Sequence, residues 1–321
     1  MDKKKYFIIT IDTEGDNLWS YNFDKPIKTT NAQYLPRFQE LCEEFNFKPV
    51  YLVNYEMAQD DFFHDFAKNT LARNMCEIGI HIHAWNNPPH YELMKDNKTG
   101  GLPYLIEYPR HVMFEKFSVL YQTLSEKFGA EIVSHRSGRW AMNQDYFDIL
   151  IEHNIKTDCS VTPHVSWRSA MGYTQNSFGS NYLSYTENPY MVKHTFTAGT
   201  ILEVPVTIRK LRDFSFSPIG CMRTLLKNIK FTLTGKPIWL RPNGKNLQDM
   251  LTLTEHIKKT DSDYLMFMLH SSELMPSGNP TFKTKESIEQ LYTDLRILFE
   301  NIAKTFTGIT LKDYTLLWRD Q

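Results

Sequence analysis

Tyr6-Phe7-Ile8-Ile9-Thr10-Ile11-Asp12-Thr13-Glu14 reads as a strand that is apolar on both faces until it ends in two carboxylates two residues apart. A strand with water on one side alternates apolar and polar residues, whereas a nearly continuous apolar run fits a parallel strand covered on both faces. Similar runs recur at Pro49 to Val53, Glu77 to Ile82, Glu131 to Ser134, Ile201 to Val204 and Tyr264 to Leu269. Between them lie helical stretches: Asn31 to Phe47, Asp60 to Cys76, Phe114 to Phe128, Gln144 to His153, Leu247 to Lys259 and Lys285 to Lys304. This alternation predicts an α/β fold, a distorted (β/α) barrel of about seven parallel strands. In such barrels the working groups stand just past the C-terminal ends of the strands.

With 321 residues, 41% of them hydrophobic, the chain can bury one large core, and we read 1–321 as a single domain. Segments near 85–108 and 167–200, rich in residues such as Gly, Asn and Tyr, read as loops over the barrel mouth. The 36 basic and 37 acidic residues balance, so no chain-wide field favours nucleic acid. Cys42, Cys76, Cys159 and Cys221 are widely spaced, which argues against a thiolate zinc site and suits a reducing cytoplasm. The basic start runs straight into the first strand, too short an apolar run for a signal peptide, and no window has the roughly 20 apolar residues of a membrane span. One local exception to the charge balance is a basic insertion near 214–248. There Arg223, Lys227, Lys230, Lys236, Arg241 and Lys245 interleave with apolar residues at helical spacing, without an acid from Phe214 to Gln248. It suits anionic phosphate, on a lipid- or nucleotide-linked sugar or at the inner membrane surface, or else a solvated helix packed on the barrel.

Chemistry-bearing residues gather at the predicted strand ends. Asp12 and Glu14 share a face while the backbone stays extended, and burying both unpaired is unfavourable unless a cation lies nearby. His81 and His83 have the same i, i+2 spacing after Glu77-Ile78-Gly79-Ile80. Two imidazoles and one carboxylate are a common catalytic metal set that leaves a position for water. His270 follows Leu265-Met266-Phe267-Met268-Leu269 and can protonate a departing amine. Arg136 and Arg139, beside Trp140, suit a carboxylate or the polar edge of a sugar; Asp158 and Ser160 end a further run. Trp19, Tyr21, Trp85, Tyr104 and Trp167 add flat rings near the expected mouth.

In this order the motifs resemble the polysaccharide deacetylases of carbohydrate esterase family four, the NodB homology domain. The likeness spans nearly the whole chain. The cues Ile11-Asp12-Thr13-Glu14, Glu77-Ile78-Gly79-Ile80-His81-Ile82-His83, Arg136-Ser137-Gly138-Arg139-Trp140 and Met268-Leu269-His270-Ser271-Ser272-Glu273-Leu274 look most like its WbmS-like branch, associated with bacterial O-antigen and other surface-glycan clusters. The resemblance implies a NodB-like barrel and a metal-dependent N-deacetylase acting on an N-acetylated amino sugar of a surface glycan or its precursor. It implies Asp12 as base, Arg136 as the arginine orienting it, and His270 as acid. The metal ligands would be Glu14, His81 and His83, and Arg139, Trp140, Asp158 and Trp85 would meet substrate. Zinc leads among the metals, with iron, cobalt, nickel and manganese also suited to these ligands. The chain departs from the family at Thr13, where a second aspartate would stand, and at Trp85, where a second histidine would. Two alternatives remain: an inactive barrel that binds glycan, and an amidohydrolase-type metal hydrolase, although in that class the His-X-His pair usually lies on the first strand.

Overall fold

The computed structural model describes residues 4–20, 26–91, 101–211 and 235–319. Across its main sheet the strands run β10 (Tyr264–His270), β1 (Lys5–Thr13), β2 (Val50–Val53), β3 (Glu77–Ile82), β4 (Ser134–Ser137), β5 (Thr157–Asp158), β7 (Thr200–Glu203) and β6 (Tyr190–Lys193). Every pairing from β10 to β7 is parallel, and β6 adds an antiparallel edge. A short β11 (Phe306–Gly308) pairs with the start of β1. The path from β10 to β7 thus holds the expected seven parallel strands, curled into a half-barrel. Outside it pack α1 (Leu35–Glu44), α3 (Asp61–Ala72), α4 (Arg110–Phe128), α5 (Gln144–Glu152), α6 (Leu247–Lys258) and α7 (Lys285–Ala303); a one-turn α2 (Tyr55–Ala58) follows β2.

Alternation along each strand divides the core in two. Phe7, Ile9 and Ile11 of β1 face the helices, with Leu265, Phe267 and Leu269 of β10 beside them. Ile8 faces the barrel interior with Val50, Leu52, Met266 and Met268. Covered faces on both sides account for the continuous apolar runs. A C-terminal helix, α8 (Leu311–Arg319), plugs the floor: Leu311 and Tyr314 join the interior cluster, and Tyr314 donates to Asp263. Along β1 the inner face therefore grades from apolar toward the floor to polar at the mouth, in the order Ile8, Thr10, Asp12.

Between β10 and the segment that follows β7, single bonds replace a ladder. Val206 N donates to Val161 O, continuing the β5–β7 side, and the gap to β10 is crossed by Leu240 N donating to Thr207 O and Met268 N to Leu240 O. The last two flank an antiparallel pair, β8 (Ile208–Leu211) with β9 (Lys236–Trp239).

Several boundaries correct the sequence reading. The strand expected at Glu131 to Ser134 lies at Ser134–Ser137, because its polar side chains find buried partners: Ser134 on Glu77, His135 on Asp158, Arg136 on Asp12. The first predicted helix starts as a 3-10 turn, Thr30–Tyr34, before α1 begins with Pro36 in its first turn. β6, β8, β9, β11 and α8 went unpredicted. Of the basic insertion, 212–234 lies outside the described residues, taking Arg223, Lys227 and Lys230 with it; Lys236 pairs with Asp249 and Arg241 with Glu273. Cys42, Cys76 and Cys159 are free and buried. Among the described residues, no helix is long and apolar enough to cross a membrane.

Glu77, on the interior face near the floor, accepts from Ser134 Oγ and from Lys312 N at 3.0 Å. Burial pushes its carboxyl from 4.5 up to about 6. The folded protein keeps this proton where the unfolded chain releases it. The stabilisation is thus complete below about pH 4.5 and is lost as pH rises through about 6, on the order of 2 kcal/mol. Glu77→Gln is expected to flatten that part of the pH–stability curve in urea titrations; an unchanged slope would refute the assignment.

Candidate metal centre

The same parity that buries Ile8 brings Thr10 and Asp12 to the inner face, and carries His81, Arg136 and His270 there from β3, β4 and β10. In register, Asp12 lies beside His270 and His81 beside Arg136. Four strands therefore place their polar ends around one point, each within a residue or two of leaving the sheet.

Glu14 Oε2 lies 2.8 Å from His83 Nε2 and 3.4 Å from His81 Nε2, and the two imidazole nitrogens are 3.2 Å apart. Bonds of about 2.0–2.1 Å to a tetrahedral ion require ligand atoms roughly 3.3 Å apart, so this triangle needs little adjustment. His81 Nδ1 meets the Arg136 carbonyl oxygen at 3.0 Å, which fixes that nitrogen as the protonated one and leaves the Nε2 lone pair facing the other two ligands. All three residues are buried. Burial favours the neutral Glu14 carboxyl, but the His270, His81 and His83 imidazoles outweigh it and hold the group well below the usual carboxylate range. Burial keeps the His83 imidazole below its usual value, against Glu14. Against burial, Asp12 and Glu14 raise the His81 imidazole, so a cation would displace a proton there; a neutral imidazole and an ionised carboxylate are the forms that ligate metal. The donor set therefore fits a divalent cation.

Asp12 Oδ1 takes a 2.6 Å bond from Arg136 Nη1, while Arg136 Nη2 donates to Thr10 Oγ1 at 2.7 Å and Nε to the Cys159 carbonyl at 3.1 Å. Burial works against the charge on Asp12, but Arg136, His81 and His270 prevail and lower its pKa. Its other oxygen, Oδ2, lies 3.7 Å from His270 Nε2. On its far side His270 is fixed by Glu273 and Arg241: Nδ1 lies 3.0 Å from Arg241 Nη2 and 3.3 Å from Glu273 Oε2. Glu273 also accepts from the His270 backbone N–H at 2.8 Å. Opposed by burial, Arg241 and His270 hold the Glu273 carboxyl down to about 2.

These groups floor a cavity of about 370 Å³ walled by Trp19, Trp85, Tyr104, Trp140, Trp167 and Arg139. Trp85 lies 4.2 Å from the His83 ring, and Trp140 stacks on Trp167 at 6.2 Å with planes 9° apart. Arg139 and Trp140 both have left-handed backbone, φ 55° and 61°. Two consecutive non-glycine residues there cost on the order of 1–3 kcal/mol each, strain that is concentrated at working sites. The turn is held by Tyr182 Oη donating to Trp140 O at 2.6 Å and Ser137 Oγ to Ala141 O at 2.7 Å.

No family profile and no curated protein sequence matches the chain. Solved structures do. A protein designated a polysaccharide deacetylase from Mycobacterium smegmatis aligns over 100% of this chain and 93% of its own, with TM-score 0.55 and 15% identity. One from Parabacteroides distasonis, designated a glycoside hydrolase/deacetylase, aligns over 99% of this chain and 72% of its own, with TM-score 0.62 and 10% identity. The chain has the NodB-like deacetylase fold. At such identity the likeness carries the fold alone. A 4-alpha-glucanotransferase from Thermococcus litoralis also aligns, over 98% of this chain and 40% of its own, with TM-score 0.55 and 14% identity. A NodB-like barrel therefore leaves the chemistry to be argued from the site.

In this barrel Asp12, Glu14, His81, His83, His270, Arg139, Trp140 and Trp85 share the cavity, with Arg136 directly behind Asp12. Asp158 departs from expectation. It pairs in register with His135 and, fully buried, contacts the His135 ring and Ser160 rather than lining the cavity. Sequence reasoning missed the roles of Arg241, assigned to the basic insertion, and of Glu273, whose signal was its i+3 spacing from His270. It also missed Glu56, which accepts from Gly15 N at 2.7 Å and Asn86 Nδ2 at 2.6 Å and so ties together the two ligand-bearing loops.

Gly138 packs tightly against this centre: a Cβ there would fall 2.4 Å from Ile82 O and 2.8 Å from His83 Nδ1. Gly138→Ala is expected to displace His83 and weaken metal affinity about 10- to 100-fold, the range for disturbing a ligand's support. Competition with a chelator would measure it; unchanged affinity would mean that His83 is no ligand.

Proposed function

We propose that this protein is a metal-dependent N-deacetylase acting on an N-acetylated amino sugar of a bacterial surface glycan or its precursor. The observation that carries the reading is the close triangle of Glu14, His81 and His83 at the floor of an aromatic-walled cavity, with Asp12 and His270 beside it. Zinc is the first expectation for the ion, with iron, cobalt, nickel and manganese compatible with the same donors. When bound, the ion supplies Lewis-acid polarisation and lowers the pKa of water.

The chain's own residues supply the rest. Asp12, kept ionised and oriented by Arg136, is the base that takes the proton from water. His270, with Nδ1 held by Arg241 and Glu273, presents Nε2 toward Asp12 and delivers a proton to the departing nitrogen. Trp85, Trp140 and Arg139 hold the sugar, and the aromatic walls limit the water that reaches the amide. Acetate and a free amine are the products.

The proposal places the protein in the cytoplasm, acting on a lipid- or nucleotide-linked sugar, with peripheral contact at the inner membrane; the basic segment suggesting that contact falls mostly outside the described residues. The test is elemental analysis of purified protein followed by acetate release from N-acetylated amino sugars. Close to one metal per chain and metal-dependent acetate release are expected. Metal-free protein that binds glycan without releasing acetate would instead make the barrel a binding module.

A further inference from the structure

Resting on the deacetylase reading, the geometry points to a negatively charged substrate: we propose that the sugar in this cavity carries a carboxylate, as an N-acylated amino uronic acid does, and that Arg139 binds it.

Several charges near the cavity are already matched. Asp12 is paired with Arg136, Glu14 faces two imidazoles, and Arg241 is held by Glu273. Arg139 differs. Among the described residues its guanidinium has no carboxylate and no hydrogen-bond acceptor; its contact is the Tyr104 ring, 4.8 Å from the guanidinium carbon. That ring is itself fixed, being buried with its hydroxyl donating to Ala170 O at 2.9 Å. A guanidinium lying on an aromatic face keeps its in-plane donors free for a planar bidentate acceptor.

The backbone supports the same reading. The left-handed Arg139-Trp140 turn buries Trp140 and leaves the exposed Arg139 at the rim of the cavity. The opening flanked by this guanidinium is otherwise lined largely by aromatic rings, which suit a sugar ring bearing one small anion. A diphosphate would call for more: sites for it gather several cations or a helix N-terminus, and the described walls offer Arg139 and an Arg241 already engaged with Glu273.

The test reads binding apart from turnover. Wild-type protein, Arg139→Gln and Arg139→Lys would be titrated by tryptophan fluorescence with three probes: an N-acetylated amino hexuronate, its uncharged primary-alcohol analogue, and the 1-phosphate of that analogue. The wild type is expected to bind the hexuronate about 10- to 100-fold more tightly than the neutral sugar, the usual worth of a charge-assisted bidentate contact. Arg139→Gln is expected to abolish that ratio and Arg139→Lys to recover part of it. Equal binding of acidic and neutral sugars, tighter binding of the phosphate, no binding of any probe, or a preference that survives Arg139→Gln would each overturn the proposal. Acetate release from the same probes separates the two readings. Tight, Arg139-dependent hexuronate binding without hydrolysis would sink the deacetylase and keep the acidic ligand; hydrolysis of both sugars at equal kcat/KM and equal affinity would do the reverse.

Discussion

Glu14→Ala is expected to empty the metal site and lower kcat/KM by on the order of 10³-fold or more, because it removes the single carboxylate from a three-residue ligand set. The informative comparison is Asp12→Asn. Asp12 stands outside the triangle, bound to Arg136, so the asparagine protein is expected to retain its ion while losing a similar share of kcat, since an amide takes no proton from water. Elemental analysis beside steady-state kinetics distinguishes the two: one variant loses metal and rate together, the other loses rate alone. If Asp12→Asn also emptied the site while Glu14→Ala kept its ion, ligand and base would have to be exchanged. Glu14 is assigned as the ligand because its longer arm reaches between the two imidazoles.

Arg136→Met is expected to be the most destabilising single change at the site, by about 3–5 kcal/mol, because it leaves Asp12 charged and buried without its partner. Arg136 is fully buried, and its donors reach Asp12, Thr10 and the Cys159 carbonyl, so one side chain links β1, β4 and the end of β5. The double variant Asp12→Asn/Arg136→Met is expected to recover a substantial part of that stability, since neither buried charge then remains. Thermal or urea unfolding of the two proteins gives the comparison. A single variant as stable as wild type would mean that water reaches Asp12 and that the pair is not buried.

Much of this barrel was legible in the chain, for identifiable reasons. Strands buried on both faces announce themselves as continuous apolar runs, and i, i+2 spacing carries Asp12 with Glu14, and His81 with His83, onto one side. Polar strands were harder. The segment Ser134-His135-Arg136-Ser137 reads as the end of a strand rather than as the strand itself until its partners are known, because Glu77, Asp158 and Asp12 are distant in sequence. The same limit misplaced Asp158: the strand-end rule applies to it, but its register with His135 turns it toward the wall. Arg241 looked like one more positive charge in a basic stretch, and only the fold brings it to His270. Short pieces such as β11, β8 and β9 carry too few residues for any periodicity to stand out.

The seating of β1 also bears on how this protein comes to be made. Its neighbour β10 arrives more than two hundred and fifty residues later, the Thr10 hydroxyl bonding a carbonyl 257 positions on, and α8 beneath them follows later still. A ribosome would therefore have delivered Asp12, His81 and Arg136 well before the imidazole that faces them. Closing so long a loop is slow, and the waiting first strand exposes an open apolar edge meanwhile. Co-translational chaperone contact with nascent chains halted before residue 264 is thus an expected feature of its biogenesis.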